Sequence, residues 1–125
     1  MTSPEDRVIA IVDDDEPVRD SMRLLLESMG FSTRDYASAA EMLEDPHRDD
    51  CDCLILDLHM PGMSGLELLE LLRARGSKVA ALLITGRGDS ALNDRVARAG
   101  ILATLSKPVS EDLLLEWVER ACEDS

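Results

Sequence analysis

Four short segments of the chain carry side chains that could do chemistry together. The first is the acidic run from Asp13 to Glu16, and the second is the single carboxylate of Asp57. The third is the hydroxyl of Thr85, and the fourth is the ammonium of Lys107, which a proline follows directly. Carboxylates, a hydroxyl and an ammonium are groups that can bind a cation and a phosphoryl group, provided that the fold brings them together.

Asp13, Asp14 and Asp57 could not share one site as bare anions. Two carboxylates about 4 Å apart repel each other by about 4 kcal/mol at an effective dielectric near 20. A cation would remove this repulsion, and a set of oxygen ligands favours Mg²⁺, which typically joins one or two carboxylates to a phosphate. Lys107 would add a second positive charge and Thr85 a hydroxyl donor. The set is therefore suited to stabilising a phosphoryl group on or near Asp57.

Strand and helix patterns alternate along the chain and place these residues. Apolar or alternating segments predict five strands, and each is followed by apolar residues at helical spacing. The predicted strands are Val8–Val12, Phe31–Tyr36, Cys51–Leu56, Val79–Ile84 and Ile101–Leu105. Helix starts are predicted from capping boxes at Ser38–Glu41 and Ser64–Glu67, from Asp89 or Ser90, and from Ser110. The last helix is expected to turn five apolar residues inward: Leu113, Leu114, Trp117, Val118 and Ala121.

Strict alternation of strand and helix predicts an α/β fold, a single domain with a five-stranded parallel sheet and five helices on both faces. Ligands of such sheets bind beyond the carboxyl ends of the strands. Asp13, Asp57, Thr85 and Lys107 all follow predicted strands. Taken singly, each residue is better explained as a helix cap, a loop residue or a surface charge. Their joint placement at one edge favours a binding site.

Composition narrows the class of partner. The formal net charge of −13, from 26 acidic and 13 basic residues, argues against nucleic-acid binding by this chain alone. No apolar run approaches the roughly 20 residues of a membrane span, and no export signal is visible, so we expect a cytoplasmic protein with no membrane partner. Cys51, Cys53 and Cys122 are interpreted as buried reduced thiols, the first two on one strand face, rather than as a zinc site.

The sequence resembles two-component response regulator receiver domains. The likeness runs from Val8 to about Ala121, and four motifs carry it in the order and spacing of that family: Ile11–Arg19, Leu54–Gly65, Ile84–Gly86 and Ser106–Pro108. The segment after Thr85 is similar to receivers of the nitrogen-fixation regulator type. The resemblance implies a doubly wound, flavodoxin-like fold and a receiver domain spanning residues 1–125.

The same resemblance implies roles for individual residues. Asp57 would be the phosphoacceptor, and Thr85 and Lys107 would contact the phosphoryl oxygens. Mg²⁺ would be held directly by Asp14 and Asp57, through water by Asp13, and by the backbone carbonyl of His59. The protein would be a signalling switch rather than an enzyme, catalysing only its own phosphoryl transfer and slow autodephosphorylation. Its phosphodonor would be a histidine kinase or phosphotransfer protein. Its target would be a separate output partner or an output domain C-terminal to this chain, with a homodimer as one expected assembly.

One position departs from the family pattern. Three residues before Lys107 the family usually has Tyr or Phe, whose ring reports phosphorylation, and this chain has Thr104. We therefore expect the response to appear mainly in the loop Gly86–Asp89 and at the start of the fourth helix. The substitution also leaves open a pseudo-receiver that binds partners without phosphorylation.

Two other classes fit less well. A haloacid-dehalogenase-type phosphatase needs a second Asp two residues after its nucleophile, where this chain has His59, and it needs a cap domain. A flavodoxin-like electron carrier needs a phosphate-binding loop after the first strand, where this chain has four acids.

Overall fold

Five strands alternate with five helices in residues 7–86 and 93–123, the parts of the chain described by the structure, which is a computed structural model. The first half comprises β1 (Val8–Val12), α1 (Glu16–Ser28), β2 (Ser32–Tyr36), α2 (Ala39–Glu44) and β3 (Cys53–Asp57). The second half comprises α3 (Gly65–Ala74), β4 (Ala80–Thr85), α4 (Asn93–Ala99), β5 (Ala103–Ser106) and α5 (Glu111–Glu123). The predicted order of elements is confirmed.

Side-chain caps determine where several helices begin. The Asp15 carboxylate accepts from the Val18 amide and opens α1. Ser64 and Glu67 form the complete predicted capping box at α3, in which each side chain bonds the backbone amide of the other residue. At Ser38 the structure shows the first of these bonds, from the Glu41 amide. The proposed cap of α4 at Asp89 or Ser90 lies outside the described residues.

The sheet is parallel throughout and has the strand order β2-β1-β3-β4-β5. Strand order reverses at β1, so the carboxyl ends of β1 and β3 border the crevice in which ligands of such folds bind. One face of the sheet packs against apolar residues of α1 and α5, and the other against those of α2, α3 and α4. Helices on both faces confirm the predicted doubly wound α/β fold.

Two expectations about packing are wrong. Leu113 is 47% exposed, because the buried stripe of α5 runs through Leu114, Val118 and Ala121 and leaves Leu113 one residue off that face. Cys51 precedes β3, which begins at Cys53, so these two thiols do not share a strand face. The structure shows no disulfide among Cys51, Cys53 and Cys122, all of which it describes; Cys53 and Cys122 are buried and Cys51 is half-buried. Burial raises the pKa of each thiol, that of Cys51 to about 11.

None of the described helices is both long and apolar enough to span a bilayer.

Candidate functional site

The end of β1 positions Asp13 inside the protein. Its backbone amide donates to the Tyr36 carbonyl at 3.1 Å, so pairing with β2 continues one residue beyond β1 and holds the side chain at the sheet edge. The carboxylate is 0% exposed, and its Oδ1 accepts from the Asp15 amide at 2.8 Å. Among the described residues, its Oδ2 is buried without a hydrogen-bond partner. Such an oxygen requires a partner, and a cation would provide one.

Asp57 is the last residue of β3, the central strand. Its carboxylate is nearly buried, at 2% exposure, and each oxygen has a donor. The His59 amide donates to Oδ1 at 3.2 Å, and the Lys107 ammonium donates to Oδ2 at the same distance. These two bonds orient one oxygen toward the backbone and the other toward the positive charge.

The carboxylates of Asp13, Asp14 and Asp57 converge as predicted. Oxygen atoms from all three lie within 4.8 Å of one another, with Asp14 exposed and the other two buried. Burial raises the pKa of Asp13 to about 6, and the negative charge of Asp57 contributes to this rise. The crowding of charge, the unpartnered Oδ2 of Asp13 and the all-oxygen donor set fit a hard divalent cation such as Mg²⁺.

Lys107 and Thr85 complete the same edge. Burial alone would lower the pKa of Lys107, but its hydrogen bond to Asp57 and the nearby carboxylate charges outweigh burial, so the pKa is raised and the side chain stays charged. Thr85 is the last residue of β4 and follows Ile84, the register partner of Asp57. The Thr85 carbonyl accepts from the Lys107 amide at 2.9 Å, which ties the ends of β4 and β5 together. The structure thus places all four predicted segments at one edge.

His59 contacts the site through its backbone, while its side chain is exposed. Coordination of a cation by its carbonyl stays a prediction. Thr104 is exposed on β5 opposite Leu83, so its side chain does not fill a core position.

Two residues of the site were not assigned a role from the sequence. Arg19 donates through Nη1 to the Asp13 carbonyl at 2.7 Å and through Nε to Asp35 at 2.9 Å, so it fixes the β1 end against β2. The sequence did contain a signal for a specific contact of Arg19. This residue is a cation near the start of α1, where the helix dipole favours acids. Gly65 is the second: a Cβ there would lie 2.3 Å from the Asp57 carbonyl oxygen, so only glycine lets α3 approach β3 this closely.

Known proteins resemble this chain over most of its length. The sequence profile of the response regulator receiver domain matches residues 9–119. The transcriptional regulatory protein FixJ of Azorhizobium caulinodans is 38% identical over 92% of this chain and 54% of its own length. The chain therefore spans about half the length of that curated relative.

Solved structures of response regulators also resemble this chain. The response regulator StyR superposes with a TM-score of 0.87 at 38% identity, covering 94% of this chain and 60% of that one. The crystal structure titled FixJ-N gives a TM-score of 0.83 at 36% identity and covers 94% of both chains. Mg²⁺ binding and phosphorylation are typical of this family, whose members are signalling proteins rather than classical enzymes. On profile, identity and fold together, the chain belongs to the response regulator receiver domain family.

Proposed function

We propose that residues 1–125 form a phosphorylation-dependent switch that accepts a phosphoryl group on Asp57 and thereby changes its affinity for a partner. The observation that carries this proposal is the setting of Asp57. Its carboxylate is buried at a strand end, bonded by Lys107 on one oxygen and within 4.8 Å of two further carboxylates. An aspartate with a purely structural role would have only positively charged or donor groups around it. Asp57 instead lies beside two further carboxylates, and a bound cation would offset the repulsion among the three.

In this proposal Asp13, Asp14, Asp57 and the carbonyl of His59 would hold Mg²⁺. The ion would supply positive charge to neutralise the carboxylates and the phosphoryl oxygens. Lys107 would bind a phosphoryl oxygen through the ammonium that now contacts Asp57, and Thr85 would donate its hydroxyl to another. The His59 amide would hold Asp57 Oδ1 in place while the other oxygen reacts.

The chemical step would be a transfer from a phosphohistidine. A carboxylate oxygen of Asp57 forms a bond to phosphorus, and the bond from phosphorus to the donor histidine nitrogen breaks. The nitrogen keeps the electron pair, and because the other ring nitrogen of the phosphohistidine carries a proton, the donor leaves as a neutral imidazole. Water later cleaves the acyl phosphate to regenerate Asp57, so the chain catalyses only its own transfer and slow autodephosphorylation.

A protein phosphodonor needs a surface beside Asp57. An apolar groove of about 600 Å³ lies between α1 and α5 and reaches Lys107. The residues that line it include Val18, Met22, Leu25, Val109 and Leu114. We infer that the phosphohistidine-bearing helices of a histidine kinase or phosphotransfer protein dock there, because the groove ends at the residue that bonds the phosphoacceptor.

The output of the switch would be a second domain or a separate partner, since relatives such as FixJ are about twice as long as this chain. Direct nucleic-acid binding is not proposed for the chain itself, given its net charge of −13. Its reduced thiols fit a reducing compartment such as the cytoplasm.

The test is mass spectrometry after incubation with acetyl phosphate and Mg²⁺. We expect one added phosphoryl group that is labile to hydroxylamine, and Asp57→Asn should abolish it. Asp52→Asn, which removes a carboxylate near the opposite end of β3, is the matched control and should be phosphorylated normally. Full labelling of Asp57→Asn, or a phosphoryl group found on His59, would overturn the assignment.

Thr104 favours one alternative, a pseudo-receiver that binds partners without phosphorylation. Threonine cannot supply the aromatic ring that usually reports the phosphorylated state. Absence of labelling in the wild-type chain under conditions in which Mg²⁺ binds would select this alternative.

A further inference from the structure

A second cavity lies at the edge of the sheet opposite the phosphorylation site. It has a volume of about 360 Å³ and is bordered by the chain that precedes β3 and by the turn between α3 and β4. We call it the basal cavity; its lining includes Arg48, Arg75, Ser77 and Lys78. The proposed chemistry of Asp57 does not use it.

The basal cavity is positively lined in a strongly acidic protein. Three cations and a single acid, Asp49, line it, although the chain as a whole carries 26 acidic and 13 basic residues. Within residues 7–86 and 93–123, no carboxylate lies within 4.0 Å of Arg48, Arg75 or Lys78. Elsewhere ion pairing is common, as it is for Arg7, Arg19, Arg23, Arg95, Lys107 and Arg120.

Arg48 is held in place before any ligand arrives. Its Nη1 donates to the carbonyls of Leu43 and Asp45, both at 3.3 Å, so the guanidinium is fixed at the cavity wall. Its Nε is buried and has no acceptor among the described residues. Neutral carbonyls satisfy hydrogen bonds but leave the charge uncompensated, and an ordered guanidinium loses less entropy when it binds an anion.

The turn between α3 and β4 contributes further polar groups to the lining of the basal cavity. The Ser77 hydroxyl oxygen accepts from the Val79 amide at 3.3 Å, which leaves its own proton available for donation. The turn also carries Arg75 and Lys78, one on each side of Ser77. Two arginines, a lysine and a serine thus line one cavity that is large enough for a small molecule.

We propose that the basal cavity binds a small dianion with phosphate or carboxylate oxygens. Planar guanidinium groups bind both oxygen types through paired N–H donors, and Lys78 adds a point charge. Such an anion would link the loop before β3 to the turn before β4, and it would stabilise the folded chain by mass action.

The test is a titration of the ¹⁵N-labelled chain with inorganic phosphate and, separately, succinate, without Mg²⁺ and at constant ionic strength. We expect saturable amide shifts at residues 48–51 and 75–79, distinct from any shifts around Asp57. The double variant Arg75→Gln/Lys78→Gln should raise the dissociation constant at least 10-fold. Arg48 is left intact because it also supports the end of α2.

The matched control is Arg98→Gln/Arg120→Gln, which changes the net charge equally but leaves the cavity lining intact. Saturation by only one of the two anions would support the proposal and identify the oxygen type. Three results would overturn it: no saturable shifts with either anion, equal weakening in both double variants, or the same shifts on adding sodium chloride.

Discussion

Asp13 is a carboxylate whose burial works against stability. One of its oxygens bonds the Asp15 amide, while the other has no partner in the described part of the chain. The fold tolerates this arrangement because Lys107 lies nearby and because Arg19 secures the Asp13 backbone. The unsatisfied oxygen makes the apo protein less stable than its packing alone would allow, as is common at functional sites.

The first prediction is that Asp13→Asn stabilises the protein in metal-free buffer at pH 8, by about 1 to 3 kcal/mol. The pKa of Asp13 is about 6 in the folded state, above its ordinary value of 3.8. Above pH 6 the group is ionised in both states, so the folded state bears the full cost. As pH falls from 6 toward 4, the folded state takes up a proton first and the cost disappears.

Urea denaturation of both proteins at pH 8 and pH 4.5 in EDTA measures this difference. The gain should be present at pH 8 and mostly lost at pH 4.5, and Asp13→Asn should bind Mg²⁺ more weakly. A gain of equal size at both pH values would mean that the stabilisation does not come from the titration of Asp13.

Residue types at strand ends made much of the site predictable. The position of Asp57 and Lys107 at one edge could be predicted from the sequence, because each follows a recognisable apolar strand and because parallel strands end at one edge. Arg19 could not be assigned, because its partners are a backbone carbonyl and Asp35, an acid on β2 that lies 16 residues away. Contacts between a helix and a neighbouring strand produce no pattern in the local sequence.

At the scale of elements, the close approach of α3 to β3 requires glycine at position 65, because glycine has no side chain. The second prediction is that Gly65→Ala destabilises the fold by about 3 kcal/mol, because its Cβ would overlap the Asp57 carbonyl at 2.3 Å. Because the clash would displace Asp57, the proposed phosphoacceptor, the rate of labelling by acetyl phosphate should fall as well.

Gly76→Ala is the matched control. Gly76 follows α3 with φ of 95°, and a Cβ there meets no atom within 4 Å. Strain at positive φ should cost about 1 to 2 kcal/mol but leave the labelling rate unchanged. Normal labelling in Gly65→Ala would show that the helix can shift without moving Asp57.

Helix α4 is attached mainly to α3, through polar contacts at both of its ends. Arg95 bonds both carboxylate oxygens of Glu70, at 2.6 and 3.2 Å. Arg73 donates to the carbonyl of Ala99 at 2.8 Å and to that of Gly100 at 3.5 Å. We expect α4 to shift when these polar contacts rearrange.

The third prediction is that beryllofluoride, which mimics the phosphoryl group, changes hydrogen exchange mainly between Gly86 and Val96, a range that includes residues outside those described. Thr85→Ala should erase this change, because the hydroxyl would no longer bond the phosphoryl mimic. Thr104→Ala should preserve it, since the exposed Thr104 side chain fills no core position. A response centred on β5 and lost in Thr104→Ala would show that Thr104 is itself the switch.

Element types and order were predictable because apolar runs and caps are local signals. The observed strand boundaries differ from the predicted ones where hydrogen-bonded strand pairing, rather than hydrophobicity, determines them. The apolar segment predicted as the last strand begins at Ile101, but β5 begins at Ala103, the register partner of Leu82. Ile101 and Leu102 remain packed against the core without belonging to the strand.

The whole molecule carries a net charge of −13, and the densest described acidic cluster is also the proposed metal site. The fourth prediction is that Mg²⁺ at about ten times its dissociation constant stabilises the protein by about 1.4 kcal/mol, raising Tm by about 3 to 6 °C. Asp14→Ala should lose this increase, because it removes the exposed carboxylate of the cluster.

Thermal melts with Mg²⁺, and with sodium chloride at equal ionic strength, separate binding from general screening of the net charge. Wild type should respond to Mg²⁺ beyond its response to sodium chloride, whereas Asp14→Ala should respond to both salts alike. Equal responses of the two proteins to Mg²⁺ would place the metal elsewhere.

The hydrogen bond between Lys107 and Asp57 joins residues 50 positions apart. Asp13 and Asp14, which follow β1, lie still earlier in the chain. Until β5 has docked beside β4, a growing polypeptide therefore has Asp57, the proposed phosphoacceptor, but not the Lys107 ammonium beside it. Phosphorylation of Asp57, as proposed, would therefore begin only after β5 has docked. Under the proposed function, copies that are still folding would not consume the phosphodonor, because a small domain acquires its structure in one cooperative step.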